Sequence, residues 1–179
     1  MSTQMRAVLM TGAPATGKST VGRLVARALR AALLDQDVVT GPLVEAMGAD
    51  LDGPSGAALR RARYESIVAT AEDCLSVGVA AVLVAPFTTE RSSAAALRAI
   101  ASRFAAVEAT TTLVWLTAPA EVLVQRMLDR GASRDRGKLT DPDTYFASAL
   151  LAPPTVPHVA VDATVDPETQ LDNILASLP

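Results

Sequence analysis

One nine-residue stretch, GAPATGKST, constrains the fold of this chain more than any other feature. The stretch runs from Gly12 to Thr20 and follows an apolar run, RAVLMT, that predicts a buried β-strand. The residues after it, within KSTVGRLVARALRAA, carry apolar side chains at helical spacing. A strand, a glycine-bounded loop and a helix therefore follow one another directly, and this order predicts a phosphate-binding turn.

This loop matches the P-loop pattern, in which two glycines separated by four residues are followed by Lys and then by Ser or Thr. We expect its backbone N–H groups to turn toward the phosphates of a nucleoside triphosphate, assisted by the positive N-terminus of the next helix. We expect Lys18 to reach the β- and γ-phosphates, Ser19 to ligate Mg²⁺ and Thr20 to lie near the α-phosphate. The remaining residues of the predicted cradle are Gly12, Ala13, Pro14, Ala15, Thr16 and Gly17. The alternative is a glycine-rich turn without a ligand, which the strand and helix on either side disfavour.

The rest of the chain alternates short apolar runs with longer helical patterns, which is typical of an α/β domain with a mostly parallel sheet. With 179 residues, of which 50% are hydrophobic, the chain can bury a core and is expected to form one domain over 1–179. Together with the loop, this predicts a three-layer P-loop nucleoside-triphosphate hydrolase fold with helices on both faces of the sheet.

Composition excludes several kinds of partner. A net charge of −3 and an aromatic content of 3% provide neither a basic field nor stacking platforms for nucleic acid. No apolar stretch approaches the roughly 20 residues that span a bilayer, and the N-terminus does not have the pattern of a targeting segment. We therefore expect a cytoplasmic protein that binds neither nucleic acid nor membranes.

Two absences from the sequence narrow the class of P-loop protein. The only asparagine is Asn173, so the Asn-Lys-x-Asp element that reads guanine in GTPases is missing. The third predicted strand, in VLVAPFTTE, has no carboxylate until Glu90, whereas motor and translocating ATPases normally end this strand with an acid for the metal. A compact kinase-like domain remains, in which the metal-directed acid can instead come from the second strand.

That second strand ends in LLDQD, where Asp35 and Asp37 are separated by one residue. In an extended segment both side chains project to the same side, toward the nucleotide edge of the sheet. We expect Asp35 to hold a water on Mg²⁺ and Asp37 to accept the proton of an acceptor hydroxyl. The alternatives are that Asp37 caps a helix beginning at Val38 and that Asp35 is a solvent-exposed strand end.

Four arginines follow the fourth predicted strand within eleven residues, and they are Arg126, Arg130, Arg134 and Arg136. Arg126 and Arg130 share a helix face, whereas Arg134 lies in a glycine-bounded loop that predicts a lid over about 131–140. Guanidinium groups delivered by a lid would stabilise the transferred phosphoryl group and exclude water. The alternatives are a solvated helix end and ion pairing within Arg134-Asp135-Arg136.

The phosphate acceptor is expected across the sheet edge from the loop, in a region over about 38–65 and at the end of the third strand. Arg63 is a candidate for binding an anionic acceptor, and Thr88 for binding a hydroxylated one. The alternative for Arg63 is a solvated charge on a helix surface, as for Arg60 and Arg61.

Three segments resemble the small P-loop phosphotransferases, which include shikimate kinase, gluconate kinase, chloramphenicol phosphotransferase, zeta-toxin-like proteins and uncharacterised predicted kinases. The segments are GAPATGKST, LLDQDV and VWLTAPAEVLVQRMLDRGASRDRGKL. The resemblance implies a five-stranded parallel sheet in the order 2-3-1-4-5, with Asp37 as the catalytic base and Asp35 assisting the metal. It also implies that Arg126 lies on the adenine ring, that Arg130 and Arg134 meet phosphates, and that residues 162–165 contact adenine.

These expectations describe an ATP- and Mg²⁺-dependent phosphotransferase that moves the γ-phosphate to a hydroxyl of a small molecule, such as a metabolite or an antibiotic. Its predicted catalytic residues are Lys18, Asp37, Arg130 and Arg134. The alternatives are a nucleoside or nucleotide kinase and, from another class, an ATP-binding regulatory or interaction module without an acceptor.

Overall fold

Five strands form a parallel sheet in the computed structural model, which describes residues 5–51, 53, 56–132, 135–142, 146 and 151–179. The strands are β1 Met5–Gly12, β2 Ala32–Asp35, β3 Ala81–Val84, β4 Ala109–Thr117 and β5 Val159–Asp162. Their order is β2-β3-β1-β4-β5, and each neighbouring pair is parallel. The predicted order 2-3-1-4-5 is therefore confirmed, and the carboxyl ends of β1, β2 and β3 lie at the same edge.

Helices connect these strands and pack on both faces of the sheet, as predicted. Within the described residues they are α1 Lys18–Leu29, α2 Gln36–Ala46, α3 Gly56–Ser76, α4 Ala94–Ala105, α5 Ala120–Arg130, α6 Arg136–Thr140 and α7 Pro167–Ser177. None of the helices in these ranges has both the length and the apolar content needed to cross a membrane.

The alternation of side chains along β1 explains the two layers of helices. Val8 and Met10 are fully buried in a core with residues of α1 and α7, whereas Ala7 and Leu9 join a core with residues of α3 and α4 on the other face. The central strand is buried on both faces and is continuously apolar from Ala7 to Met10, which is typical of a parallel sheet. This packing fixes the end of β1 and, with it, the loop that begins at Gly12.

Several element boundaries differ from those predicted. β2 ends at Asp35 and α2 begins at Gln36, so Asp37 lies in a helix and not in an extended segment. Pro42 lies inside α2. The predicted lid loop contains the short helix α6. Most of the segment PDTYFASALL lies outside the described residues.

Candidate active site

The loop after β1 turns sharply at Gly12, where no other residue fits. Its φ angle is 148°, and a Cβ atom added there would stand 2.4 Å from the carbonyl oxygen of Leu116. Ala15 continues the turn with a φ of 66°. The hydroxyl of Thr16 donates to the carbonyl of Ala13 at 2.9 Å, which closes the loop on itself. The backbone of the cradle is therefore shaped by this chain's own contacts.

The N-terminus of α1 opens onto this loop. Gly17 is the N-cap, with a φ of 87°; no side chain caps the helix, and its first turn contains no acidic residue. The ammonium group of Lys18 folds back and donates to the carbonyls of Gly12 and Ala13 at 2.8 Å each. A helix N-terminus with no acid in its first turn, beside an ammonium group, fits a polyphosphate, which is the ligand that the sequence predicts here.

Asp35 ends β2 and caps α2. The residue is 6% exposed, and its Oδ1 accepts a hydrogen bond of 3.0 Å from the backbone N–H of Asp37. The alternative in which Asp37 caps a helix beginning at Val38 is therefore wrong, and so is a solvent-exposed Asp35. The two acids also do not project together from a strand, because the second lies in the first turn of the helix.

Asp37 is held by a buried arginine of α3. Nη2 of Arg63 lies 2.9 Å from Oδ1 of Asp37, and Nε of Arg63 donates to the hydroxyl of Thr40 at 2.7 Å. The Thr40 hydroxyl donates in turn to the carbonyl of Gln36 at 2.6 Å. The Arg63 side chain is 10% exposed and that of Asp37 is 65% exposed. The solvated alternative for Arg63 is therefore wrong, while the carboxylate that it orients keeps access to solvent.

The turn after β3 forms another side of this edge. Thr11 of β1 donates its hydroxyl to the carbonyl of Pro86 at 2.6 Å, which ties the turn to the strand before the P-loop. Phe87 is buried with a φ of 45°, and its ring meets that of Tyr64 edge-on, with centroids 5.7 Å apart. Burial raises the pKa of Tyr64, so its hydroxyl stays protonated. The sequence analysis did not predict this aromatic pair. Thr88, which follows Phe87, is exposed at the surface.

Arg126 joins the P-loop to the segment after β5. Its Nη2 donates to the carbonyl of Ala163 at 2.8 Å, and its Nη1 reaches that of Ala15 at 3.5 Å. Hydrogen bonds from the hydroxyl and the N–H of Thr164 hold the pKa of Asp162 below its usual value, and the charge of Arg126 adds a smaller effect. The segment predicted to contact adenine is therefore fixed beside the loop, and an adenine contact of Arg126 stays a prediction.

Arg130 pairs with an acid that lies within the predicted lid. Its Nε and Nη2 lie 2.5 and 2.8 Å from Oδ2 and Oδ1 of Asp135, whose side chain is 0% exposed. Gly131, with a φ of 58°, ends α5 and reverses the chain, which makes this pairing across five residues possible. Arg130 is therefore ion-paired at the end of α5, and the residue remains exposed to solvent. Arg134, the other arginine predicted to meet phosphates, lies outside the described residues.

Comparison with known proteins assigns the chain to a family. A model of the AAA domain, a P-loop family, matches residues 8–144, which include the cradle, both acids and α5. The chain belongs to this family. No curated protein matches the chain in sequence.

Solved structures related to this AAA-domain chain include three small kinases. A gluconokinase from Sinorhizobium meliloti 1021 is 18% identical, with a TM-score of 0.62 over 97% of this chain and 91% of that one. The Mycobacterium tuberculosis APS kinase CysC, in complex with AMPPNP and APS, is 17% identical, with a TM-score of 0.61 over 97% and 96%. A shikimate kinase from Aquifex aeolicus vf5 is 20% identical, with a TM-score of 0.57 over 96% and 94%. At these identities the likeness shows the fold, which is that of small P-loop kinases.

A metal ion at this site would need ligands from the phosphates of a bound nucleotide. The described residues contain no group of three or more His, Cys, Asp or Glu side chains that could hold a metal ion. Mg²⁺ prefers oxygen ligands and usually takes several of them from phosphates and water. Ser19 and Thr20 are exposed on the first turn of α1, and Asp35 ends β2 two strands away. The pairing of Ser19 and Asp35 with a Mg²⁺ ion stays a prediction.

Proposed function

We propose that this protein is an ATP- and Mg²⁺-dependent phosphotransferase that transfers the γ-phosphate of ATP to a hydroxyl of a small molecule. The observation that carries the proposal is the Asp37 carboxylate, which is 65% exposed and oriented by the buried Arg63 at the same sheet edge as the P-loop. Because β3 alone separates β2 from β1, the ends of these strands are about 10 Å apart. That span leaves room for a terminal phosphate and an acceptor hydroxyl between the cradle and the acid.

Phosphoryl transfer depends on positioning and on charge stabilisation more than on covalent chemistry by the protein. The N–H groups of the cradle and the ammonium group of Lys18 hold phosphate oxygens. Arg130, together with Arg134 as the sequence predicts, stabilises the charge on the transferred group. Asp37 orients the acceptor hydroxyl and accepts its proton. The proposal thus gives every predicted catalytic residue a task.

Mg²⁺, the adenine ring and the acceptor are assigned to positions around the transferred phosphate. Bound Mg²⁺ supplies positive charge at the phosphates, with Ser19 and Asp35 as its protein partners. The adenine end lies against Arg126 and the segment after β5, which share a hydrogen bond. The acceptor lies against the region 38–65 and the turn after β3, where Arg63 and Thr88 are its candidate partners. The names gluconokinase, shikimate kinase and APS kinase, borne by the structural neighbours, favour a small acceptor.

Acceptor-dependent release of ADP from ATP and Mg²⁺ tests the proposal, with a panel of hydroxylated metabolites, antibiotics and nucleosides. One class of acceptor should raise ADP release above the basal rate. Asp37→Asn should lower kcat with that acceptor roughly 10²- to 10⁴-fold, because the general base is lost, while AMPPNP binding persists. Asp73→Asn is the matched control, since it makes the same change at an exposed acid of α3 outside the acceptor region and should leave kcat unchanged.

Each contrary outcome identifies a different error. Transfer at a near-normal rate by Asp37→Asn would remove this residue as the base. Turnover with nucleosides and with no other class would make the protein a nucleoside kinase. Tight binding of ATP with negligible turnover over the whole panel would identify a regulatory or interaction module without an acceptor.

A further inference from the structure

Asp135 is a buried carboxylate to which the proposed reaction gives no task. Its side chain is 0% exposed, and both of its oxygens face the guanidinium of Arg130, at 2.5 Å from Nε and 2.8 Å from Nη2. A carboxylate removed from water requires a cation and hydrogen bonds in return, and a two-bond pair with arginine is the strongest form of this contact. The pair therefore holds the guanidinium in one plane.

The contact with Asp135 uses one edge of the guanidinium. Arginine has five N–H donors in a planar fork, and this pair takes the hydrogen on Nε and one on Nη2. The two hydrogens on Nη1 and the second on Nη2 lie on the other edges, and the Arg130 side chain is 33% exposed. The acid therefore orients Arg130 without using up its donors.

The position of Arg130 on α5 relates its remaining donors to the nucleotide. Arg126 is four residues earlier on the same helix face, and its Nη1 reaches the P-loop carbonyl of Ala15 at 3.5 Å. Arg130 stands one turn further along this face, which is about 5 Å. An anion that extends outward from the cradle, such as the terminal phosphate of a nucleoside triphosphate, would meet it there.

We propose that Asp135 is a positioning residue that orients Arg130, so that the remaining donors of the guanidinium meet the terminal phosphate of the nucleotide. This rests on the proposed function, which makes a nucleoside triphosphate the ligand of the P-loop. An arginine that is already held in place loses less conformational freedom when it binds, and the gain applies only to a ligand that reaches it. Asp135 thereby favours the binding of ATP over that of ADP.

Calorimetric titration with AMPPNP and with ADP, each in the presence of Mg²⁺, tests this role. Asp135→Asn keeps the shape of the side chain and should weaken AMPPNP binding roughly tenfold, while ADP binding changes less than about twofold. Arg130→Met should weaken AMPPNP binding at least as much. Adding Asp135→Asn to Arg130→Met should cause no further loss, because the acid acts through the arginine.

Asp129→Asn is the matched control, since this exposed acid precedes Arg130 directly and bonds to Gln125 instead. It should bind both nucleotides as the parent does. Thermal unfolding of each variant checks that the fold is intact. If Asp135→Asn does not fold, Asp135→Glu gives the same comparison, because it keeps the charge and moves the carboxylate by one methylene.

Equal losses of AMPPNP and ADP affinity in the Asp135 variant would overturn the proposal, since a purely structural role affects both ligands alike. Losses that add in the double variant would overturn it as well. Failure of the proposed function has a different signature. In that case the parent prefers AMPPNP to ADP and the variants lose this preference, yet the protein transfers phosphate to no acceptor of the panel.

Discussion

Arg63→Met should loosen the contact between α2 and α3 and lower the free energy of unfolding by about 2 kcal/mol. The substitution keeps an apolar stem but removes the Nε hydrogen bond to Thr40 and the ion pair with Asp37. The first contact is buried and has a charged donor, so its loss costs about 1.5 kcal/mol. The second is discounted to about 0.5 kcal/mol, because the Asp37 side chain is 65% exposed and water screens the pair.

Scanning calorimetry measures this change directly. For a chain of 179 residues, about 2 kcal/mol corresponds to a fall in Tm of roughly 4–8 °C. No buried charge is left behind, because Asp37 is exposed and Thr40 keeps its bond to Gln36. Arg61→Met is the matched control, since Arg61 is an exposed residue of the same helix and its loss should change Tm by less than about 1 °C.

The same variant separates orientation of the acid from binding of the nucleotide. Arg63→Met removes the guanidinium that orients the Asp37 carboxylate, so kcat should fall while AMPPNP affinity stays near that of the parent. A Tm for Arg63→Met equal to that of Arg61→Met would refute the energetic reasoning. An unchanged kcat, in a protein whose Tm has fallen as expected, would refute the role of Arg63 in orienting the acid.

Gly12→Ala should abolish AMPPNP binding, because its Cβ atom would stand 2.4 Å from the carbonyl oxygen of Leu116. Gly41→Ala is the control, since a Cβ atom at Gly41 would have nothing within 4 Å. Normal AMPPNP binding by Gly12→Ala would disprove the steric argument. Chelation of Mg²⁺ by EDTA should stop acceptor-dependent ADP release, and activity that persists would exclude the metal. Asp166→Ala should lower Tm at pH 7, because hydrogen bonds, chiefly from Thr169, hold the pKa of this helix-capping carboxyl below its usual 3.8. The stabilisation by the charged carboxylate is full above the usual pKa and is lost as the pH falls through the lowered pKa of the folded protein. If Asp166→Ala lowered Tm as much near pH 2 as at pH 7, the charge of Asp166 would not be the cause of the stabilisation.

The phosphate cradle could be predicted from the sequence because its residues are contiguous and most of its constraints are local. The positive φ of Gly12 and the cap at Gly17 arise within one loop, and the two carbonyls that Lys18 contacts belong to the same stretch. The alternation of strands and helices is local as well, and it indicated the α/β class. The strand order could not be predicted from local patterns, since it depends on contacts between distant segments. Its prediction came from the resemblance to known kinases.

The boundary between β2 and α2 could not be predicted in this way. Both acids of LLDQD are favoured helix caps, so the local preference does not choose between them. In the structure Arg63, which is 26 residues away along the chain, holds Asp37, and Asp35 caps the helix. One signal was available, because Thr40 follows Asp37 by three residues and therefore shares its helix face. A single polar partner on α3 could bind both.

The arginines look equivalent in the sequence, yet the structure gives each a different partner, and this determines how the site handles charge. Arg63 is paired with Asp37 and Arg130 with Asp135, so each provides oriented donors and little net charge. Arg126 instead bonds to backbone carbonyls. A diffuse positive field attracts any anion, whereas oriented donors bind an anion of matching geometry. Under the proposed function, a chain with a net charge of −3 would select a terminal phosphate by geometry, and the acids behind its arginines would be part of that selection.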